Sequence, residues 1–129
     1  MNKILVEVSV GELLDKISIL EIKKEKIKDP EKLKFINDEH IILKGQLDLN
    51  VKSDNKLNIL FQSLKEINAK LWIIEDDKRM CEKKSDFAEI FIKLSRDVHF
   101  LNDDRAKIKL EINNYTGSKI KEIKEYTSY

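Results

Sequence analysis

The stretch Leu57-Asn58-Ile59-Leu60-Phe61-Gln62-Ser63-Leu64-Lys65-Glu66-Ile67-Asn68-Ala69-Lys70-Leu71-Trp72-Ile73-Ile74 decides the fold class. Leu57, Leu60, Leu64, Ile67, Leu71 and Ile74 recur every three or four residues, the stripe of a helix against a core. Lys78 and Cys81 continue the spacing. Lys83-Lys84-Ser85-Asp86 then interrupts it, and either Ser85 or Asp86 can cap the next helix; Asp86 and Glu89 stand at capping-box spacing. Phe87, Leu94, Leu101 and Ile108 repeat every seven residues, flanked by Phe91, Val98 and Ile112. Thr116-Gly117-Ser118 stops this helix, with Gly117 as the C′ residue. The result is a hairpin over about Asp54–Asn114, built from two helices of roughly 30 residues, or about 45 Å each.

Working toward the N-terminus, Asn50-Val51-Lys52-Ser53-Asp54-Asn55 is the clearest loop of the chain. Leu33, Ile36, Leu43 and Leu47 stripe a helix that starts with Asp29 as N-cap and Pro30 at its first position; Gly45 weakens its last turns. Val10, Leu13, Ile17, Leu20 and Ile27 stripe the helix before it, which Ser9 and Glu12 begin as a capping box. These two make a hairpin over about Val10–Asn50. Lys3 to Ser9 alternate, with Ile4, Val6 and Val8 on one side, and read as a short strand. Such a strand needs a partner for its backbone groups, either the tail from Lys119 to Tyr126 or the same strand of a second chain. The tail itself reads as a last helical turn or as a strand. The predicted fold is therefore mostly α: a four-helix antiparallel bundle of two hairpins with a short N-terminal β-strand, in one helical domain spanning residues 1–129.

Composition narrows the function classes. Lys plus Arg (25) against Asp plus Glu (24) leaves a formal charge of +1, which draws the protein to neither nucleic acid nor a membrane. The lysine-rich patches Lys23-Lys24-Glu25-Lys26 and Lys119-Ile120-Lys121 are interleaved with glutamate or apolar residues and lack stacking rings. One cysteine, Cys81, excludes an intramolecular disulfide and fits a reducing cytoplasm. Its heptad position makes it an inert core residue. No apolar run has the length of a signal peptide or a membrane span, so the expected location is cytoplasmic. Gly-rich phosphate loops, C-x-x-C and H-E-x-x-H are absent, and His40 and His99 lie far apart. No metal or cofactor is expected, and familiar hydrolytic and redox chemistry has little support.

Polar residues in unusual places supply the candidates. Only three arginines, Arg79, Arg96 and Arg105, stand among the lysines, and arginine suits a planar, bidentate contact. Lys24, His40, Lys78 and Arg105 fall on heptad positions of the apolar stripes, and Glu21 lies close to one. Buried charges must be paired, so these are either snorkelling helix-end residues or members of a polar cluster between helices. Pairing the hairpin about Lys84-Ser85 puts Arg79 near Glu89 and Arg96 near Glu75 or Trp72. Asn102-Asp103-Asp104 is a run of poor helix formers in mid-helix, retained for its side chains or as a solvated face.

Three sets of strings carry a resemblance. The first is Val8-Ser9-Val10-Gly11-Glu12-Leu13-Leu14-Asp15-Lys16-Ile17-Ser18-Ile19-Leu20-Glu21-Ile22-Lys23. The second comprises Leu71-Trp72, Ile74-Glu75-Asp76, Arg79, Asp86-Phe87, Phe91, Leu94-Ser95-Arg96 and Val98. The third is Asn102-Asp103, Arg105-Ala106, Ile108-Lys109, Ile112-Asn113 and Gly117-Ser118. Together they resemble a family of small uncharacterised bacterial proteins whose opening runs V-S-V-G-E-L-x-D-K-x-x-I-L-x-I-K. Ser95 stands where that family has alanine, and Ala88 where it has glycine. The resemblance implies no activity. It directs attention to Glu12, Asp15, Lys16, Glu21, Trp72, Glu75, Asp76, Arg79, Arg96, Asn102, Asp103 and Arg105. The expected function is a non-catalytic, dimeric adaptor whose partner is a second copy or another protein. The alternative is a site for an anionic small molecule, bound or transformed between helices three and four, with Glu21, Trp72, Glu75, Arg79, Arg96, Asp103 and Arg105 as ligand-binding candidates.

Overall fold

The computed structural model describes residues 2–129. It contains four helices: α1 Val10–Lys26, α2 Pro30–Asn50, α3 Asn55–Lys83 and α4 Glu89–Thr116. Three of the four begin where a side-chain oxygen meets a free helix N–H. Ser9 accepts from Glu12 N at 3.0 Å, Asp29 from Glu31 N at 3.1 Å, and Asp54 from Leu57 N at 2.8 Å, each satisfying one otherwise orphaned donor. Gly117 closes α4 in the left-handed conformation (φ 67°), and Ser118 N reaches back to Asn113 O at 2.9 Å, a Schellman closure.

The start of α4 departs from expectation. Ala88 is its N-cap and offers no side-chain bond. Asp86 instead accepts from Ala88 N at 3.2 Å, an Asx-type turn before the helix, and Ser85 takes the left-handed conformation (φ 52°). Phe87 consequently lies outside the helix, edge-on to Phe91 with ring centroids 5.4 Å apart.

No strand forms among the described residues. The expected strand at Lys3–Ser9 is extended chain, with Ile4 and Leu5 89% exposed. A strand is stable only against a backbone partner, and the tail does not supply one. The tail is neither helix nor strand; it returns along α4, where Glu122 meets Lys109 and Tyr129 meets Asp103.

Helix contacts are unequal. α1 touches each of the other three helices, α3 and α4 touch one another, and α2 lies against α1 alone except near its end, where Leu47 packs on the core. That core is Leu14, Leu57, Leu60, Leu64 and Ile112. On α2 only Ile36 is buried. The first turn of α1 meets Asn113 near the end of α4, and its later turns bring Ile22 beside Leu71 and Trp72. α1 therefore covers the α3–α4 hairpin only on the side of the α2–α3 loop. Beyond Trp72 the hairpin continues as a two-helix arm.

Candidate functional site

α1 buries two stripes. Besides the apolar one, Gly11, Asp15, Ser18 and Ile22 follow at four-, three- and four-residue spacing, and all four are buried. Gly11 lets α1 approach α4 closely: a Cβ there would lie 2.6 Å from the Lys109 carbonyl oxygen and 2.9 Å from Asn113 Oδ1. That approach brings Asp15, 2% exposed, against Arg105 and Lys109 of α4 and Asn68 of α3.

The carboxylate of Asp15 is saturated. Arg105 donates from Nε to Oδ1 at 2.9 Å and from a terminal nitrogen to Oδ2, the bidentate fork that arginine makes best. Asn68 Nδ2 donates to Oδ1 at 2.9 Å and to Ser18 Oγ at 2.8 Å, and Ser18 Oγ donates to the Asp15 carbonyl at 2.7 Å. Lys109, 8% exposed, bridges Glu12 at 2.7 Å and Glu122 at 2.9 Å and lies 3.8 Å from Asp15. Burial alone would lower its pKa; the bonds from Glu12 and Glu122 outweigh that and raise it above the usual lysine value. Glu122, between Lys124 and Lys109, is held down to about 2.

This cluster also closes the N-terminus of α1. Val10 N bonds Ser118 Oγ at 3.3 Å, Gly11 N bonds Asn113 Oδ1 at 2.7 Å, Glu12 N bonds Ser9 Oγ, and Leu13 N bonds Ser9 O. The donors that would welcome an anion at a helix start are all in use.

Two cavities flank the cluster, and Arg105 lines both. One, of about 730 Å³, lies between α1, α4 and the tail, walled by Glu12, Asp15, Asp103, Lys109, Glu122 and Tyr126 among others. The other, about 370 Å³, is a wedge where α1 ends; Ile19, Ile22 and Leu71 form an apolar floor beneath Trp72, Glu75, Asp76 and Arg79. A third, an apolar groove of about 390 Å³ on the arm, is lined by Lys70, Ile73, Ile74, Asp97, Phe100 and Leu101.

The residues singled out in the sequence scatter accordingly. Trp72, Glu75, Arg79 and Arg105 share the wedge, whereas Asp103 belongs to the tail cavity. Glu21 lies elsewhere, held by His40 and Lys65, each at 3.3 Å. Arg96 faces neither cavity and sits over the Phe100 ring at 5.9 Å. Neither Arg79 nor Arg96 makes an ion pair among the described residues, so the expected pairs with Glu89 and Glu75 do not form. Lys24 is exposed, and Lys78 lies 5.8 Å from the Phe91 ring centroid, both consistent with snorkelling. Cys81 is a buried thiol.

Asn68, Lys109, Asn113 and Ser18 were not among the candidates, and Asp15 entered only through the family strings. The signal that exposes Asp15, Ser18, Lys109 and Asn113 is the Gly11-Asp15-Ser18-Ile22 stripe with its counterpart Arg105-Lys109-Asn113, both at helical period; Asn68 belongs to neither and is found only by the docking of α1 on α3. Among the described residues, no group of three or more His, Cys, Asp or Glu side chains is placed to hold a metal ion, and no helix is long and apolar enough to cross a membrane.

Comparison with known proteins gives a single answer. No curated protein and no solved structure matches the chain. A family model described as a family of unknown function (DUF6165) matches residues 4–129, and the chain belongs to that family.

Proposed function

We propose that this protein is a non-catalytic interaction module that pairs with a second copy of itself through the distal arm of α3 and α4. One observation carries the reading. Past the end of α1, Ile73, Met80, Phe87, Ile90, Ile92 and Phe100 stand between 40% and 64% exposed. Two helices bury only the seam between them, and a stable core needs further layers. Closer to the α2–α3 loop α1 supplies that layer; on the arm the described residues add only the Tyr129 ring, against His99 and Phe100.

Charge supports self-pairing. Glu75-Asp76-Asp77 is followed at once by Lys78-Arg79, and none of these five makes an ion pair among the described residues. A two-fold contact sets each patch against its own copy running the other way, which brings the acidic run of one arm to the basic pair of the other. The apolar groove at Ile73, Ile74, Phe100 and Leu101 is then filled from the partner. The polar cluster at Asp15, by contrast, is saturated by its own neighbours, as suits a scaffold. Cys81, kept as a buried thiol, accords with a cytoplasmic setting.

Sedimentation equilibrium across the micromolar range tests the reading. The wild-type chain sediments as a dimer, and Ile90→Glu, a change at a 64% exposed position, sediments as a folded monomer. A wild-type chain that stays monomeric throughout that range overturns it.

A second reading, an anionic small molecule bound or transformed between α3 and α4, draws on the wedge that unites Trp72, Glu75, Arg79 and Arg105. Arg105 is already forked on Asp15, which leaves Arg79 as the wedge's available cation. Loss of metabolite-induced thermal stabilisation in Arg79→Ala would favour this reading.

A further inference from the structure

The cavity under the tail is partly open to solvent, and the tail itself makes one of its walls. The tail is anchored at Glu122, on Lys109, and at its terminal Tyr129, on Asp103, His99 and Phe100. The seven residues from Glu122 to Tyr129 can reach about 23 Å when extended. The six-residue step from Lys109 back to Asp103 advances only about 9 Å along a helix. The slack arches outward and forms the outer wall of the 730 Å³ space. This strap buries no large apolar side chain: Ile123 is 82% exposed, Tyr126 67% and Tyr129 76%. Polar contacts at an exposed surface hold weakly, so the strap is displaceable.

We propose that the space beneath the strap binds a small molecule bearing a single carboxylate, and that Glu122 is the strap's own occupant of that carboxylate's seat on Lys109. The seat selects the ligand. Glu12 and Asp15 match Arg105 and Lys109, Asp103 bonds the Tyr129 hydroxyl, and Glu122 bridges Lys109 at 2.9 Å and Lys124 at 2.8 Å. A carboxylate replaces Glu122 like for like. A dianion would place a second negative charge near Asp103 and Glu12, both on the cavity wall. The rest of that wall, with His99, Asn102 and Tyr126, offers hydrogen bonds and ring faces to a hydroxylated or aromatic body. The ligand competes with a tethered carboxylate whose effective concentration is about millimolar, so relieving that competition raises apparent affinity.

The test is an amide-resolved NMR titration of the full chain with benzoate, its neutral analogue benzamide and inorganic phosphate. Benzoate moves the signals of Lys109 and of residues 119–129 saturably, and benzamide and phosphate do not. Glu122→Gln, a change at an exposed position that leaves the helices intact, tightens benzoate binding at least threefold, and Lys109→Met abolishes it. The proposal fails if benzoate leaves those signals unmoved, if phosphate binds there better than benzoate, or if Glu122→Gln binds benzoate no tighter than wild type.

Discussion

The two halves of the α3–α4 hairpin are made of similar residues and do different things. Toward the α2–α3 loop, Leu57, Leu60, Leu64 and Ile112 are at most 9% exposed because α1 lies across them. Along the arm, Phe91, Leu94, Val98 and Leu101 keep the same heptad register and are only half-buried. Periodicity alone does not distinguish them; the reach of α1, 17 residues against 29 for α3, does. The covered half also holds the buried charges, since a salt-bridged network needs three walls to be satisfied. On this comparison the covered half supplies the stability, and the open one is the surface proposed for association.

Removing one charge from each half breaks or sharpens that assignment most directly. Asp15→Ala leaves Arg105 and Lys109 without their shared carboxylate and costs about 3 kcal/mol, the lower end of the range for a broken buried pair because Arg105 can reach water. Arg79→Ala, on the exposed arm, changes stability by less than about 0.5 kcal/mol. Urea denaturation of both variants at low protein concentration reads the difference. Equal losses would mean that the arm is not the loosely held half.

Gly11→Ala comes next. Its methyl group meets the Lys109 carbonyl at 2.6 Å, a backbone atom that yields only if α1 and α4 separate. The expected loss is about 1–3 kcal/mol. Gly45→Ala is the control: nothing lies within 4 Å of the added methyl, and a helix-interior glycine replaced by alanine gains about 0.5–1 kcal/mol. Thermal melts of the pair should therefore move in opposite directions.

How much of this was legible follows from which signals are local. Ser9, Asp29 and Gly117 announce their helix ends through bonds to neighbours a few residues away, and the structure keeps all three; Asp54, read only as the end of a loop, caps α3 in the same way. Asp86 does not cap α4: its oxygen accepts from Ala88 N in a turn that precedes the helix. The N-terminal alternation of Ile4, Val6 and Val8 is a true period of two without a sheet to join. Asp15, Asn68 and Lys109 look like solvated residues in a chain that is 38% charged. Asn68 takes the core place that the stripe gave to Ile67, and only helix docking reveals it. The tail's contacts join residues 13 and 26 apart, beyond any local rule.

The smallest effect lies at the strap, outside both halves. The pKa of Glu122 falls from an ordinary 4.5 to about 2, first because of Lys124 and then because of Lys109. A carboxylate depressed in the folded state contributes stability that is present above the unfolded value and is lost as pH falls through the folded one. The strap's hold is accordingly complete above about pH 4.5 and released as pH approaches about 2. Glu122 is 42% exposed, so solvent screens most of that contribution and the melting temperature hardly registers it. Backbone NMR relaxation does: residues 122–129 should gain motion on acidification, and Glu122→Gln should show the same gain already at neutral pH. Order unchanged in both would mean that Tyr129 and Ser118 hold the strap without the ion pair.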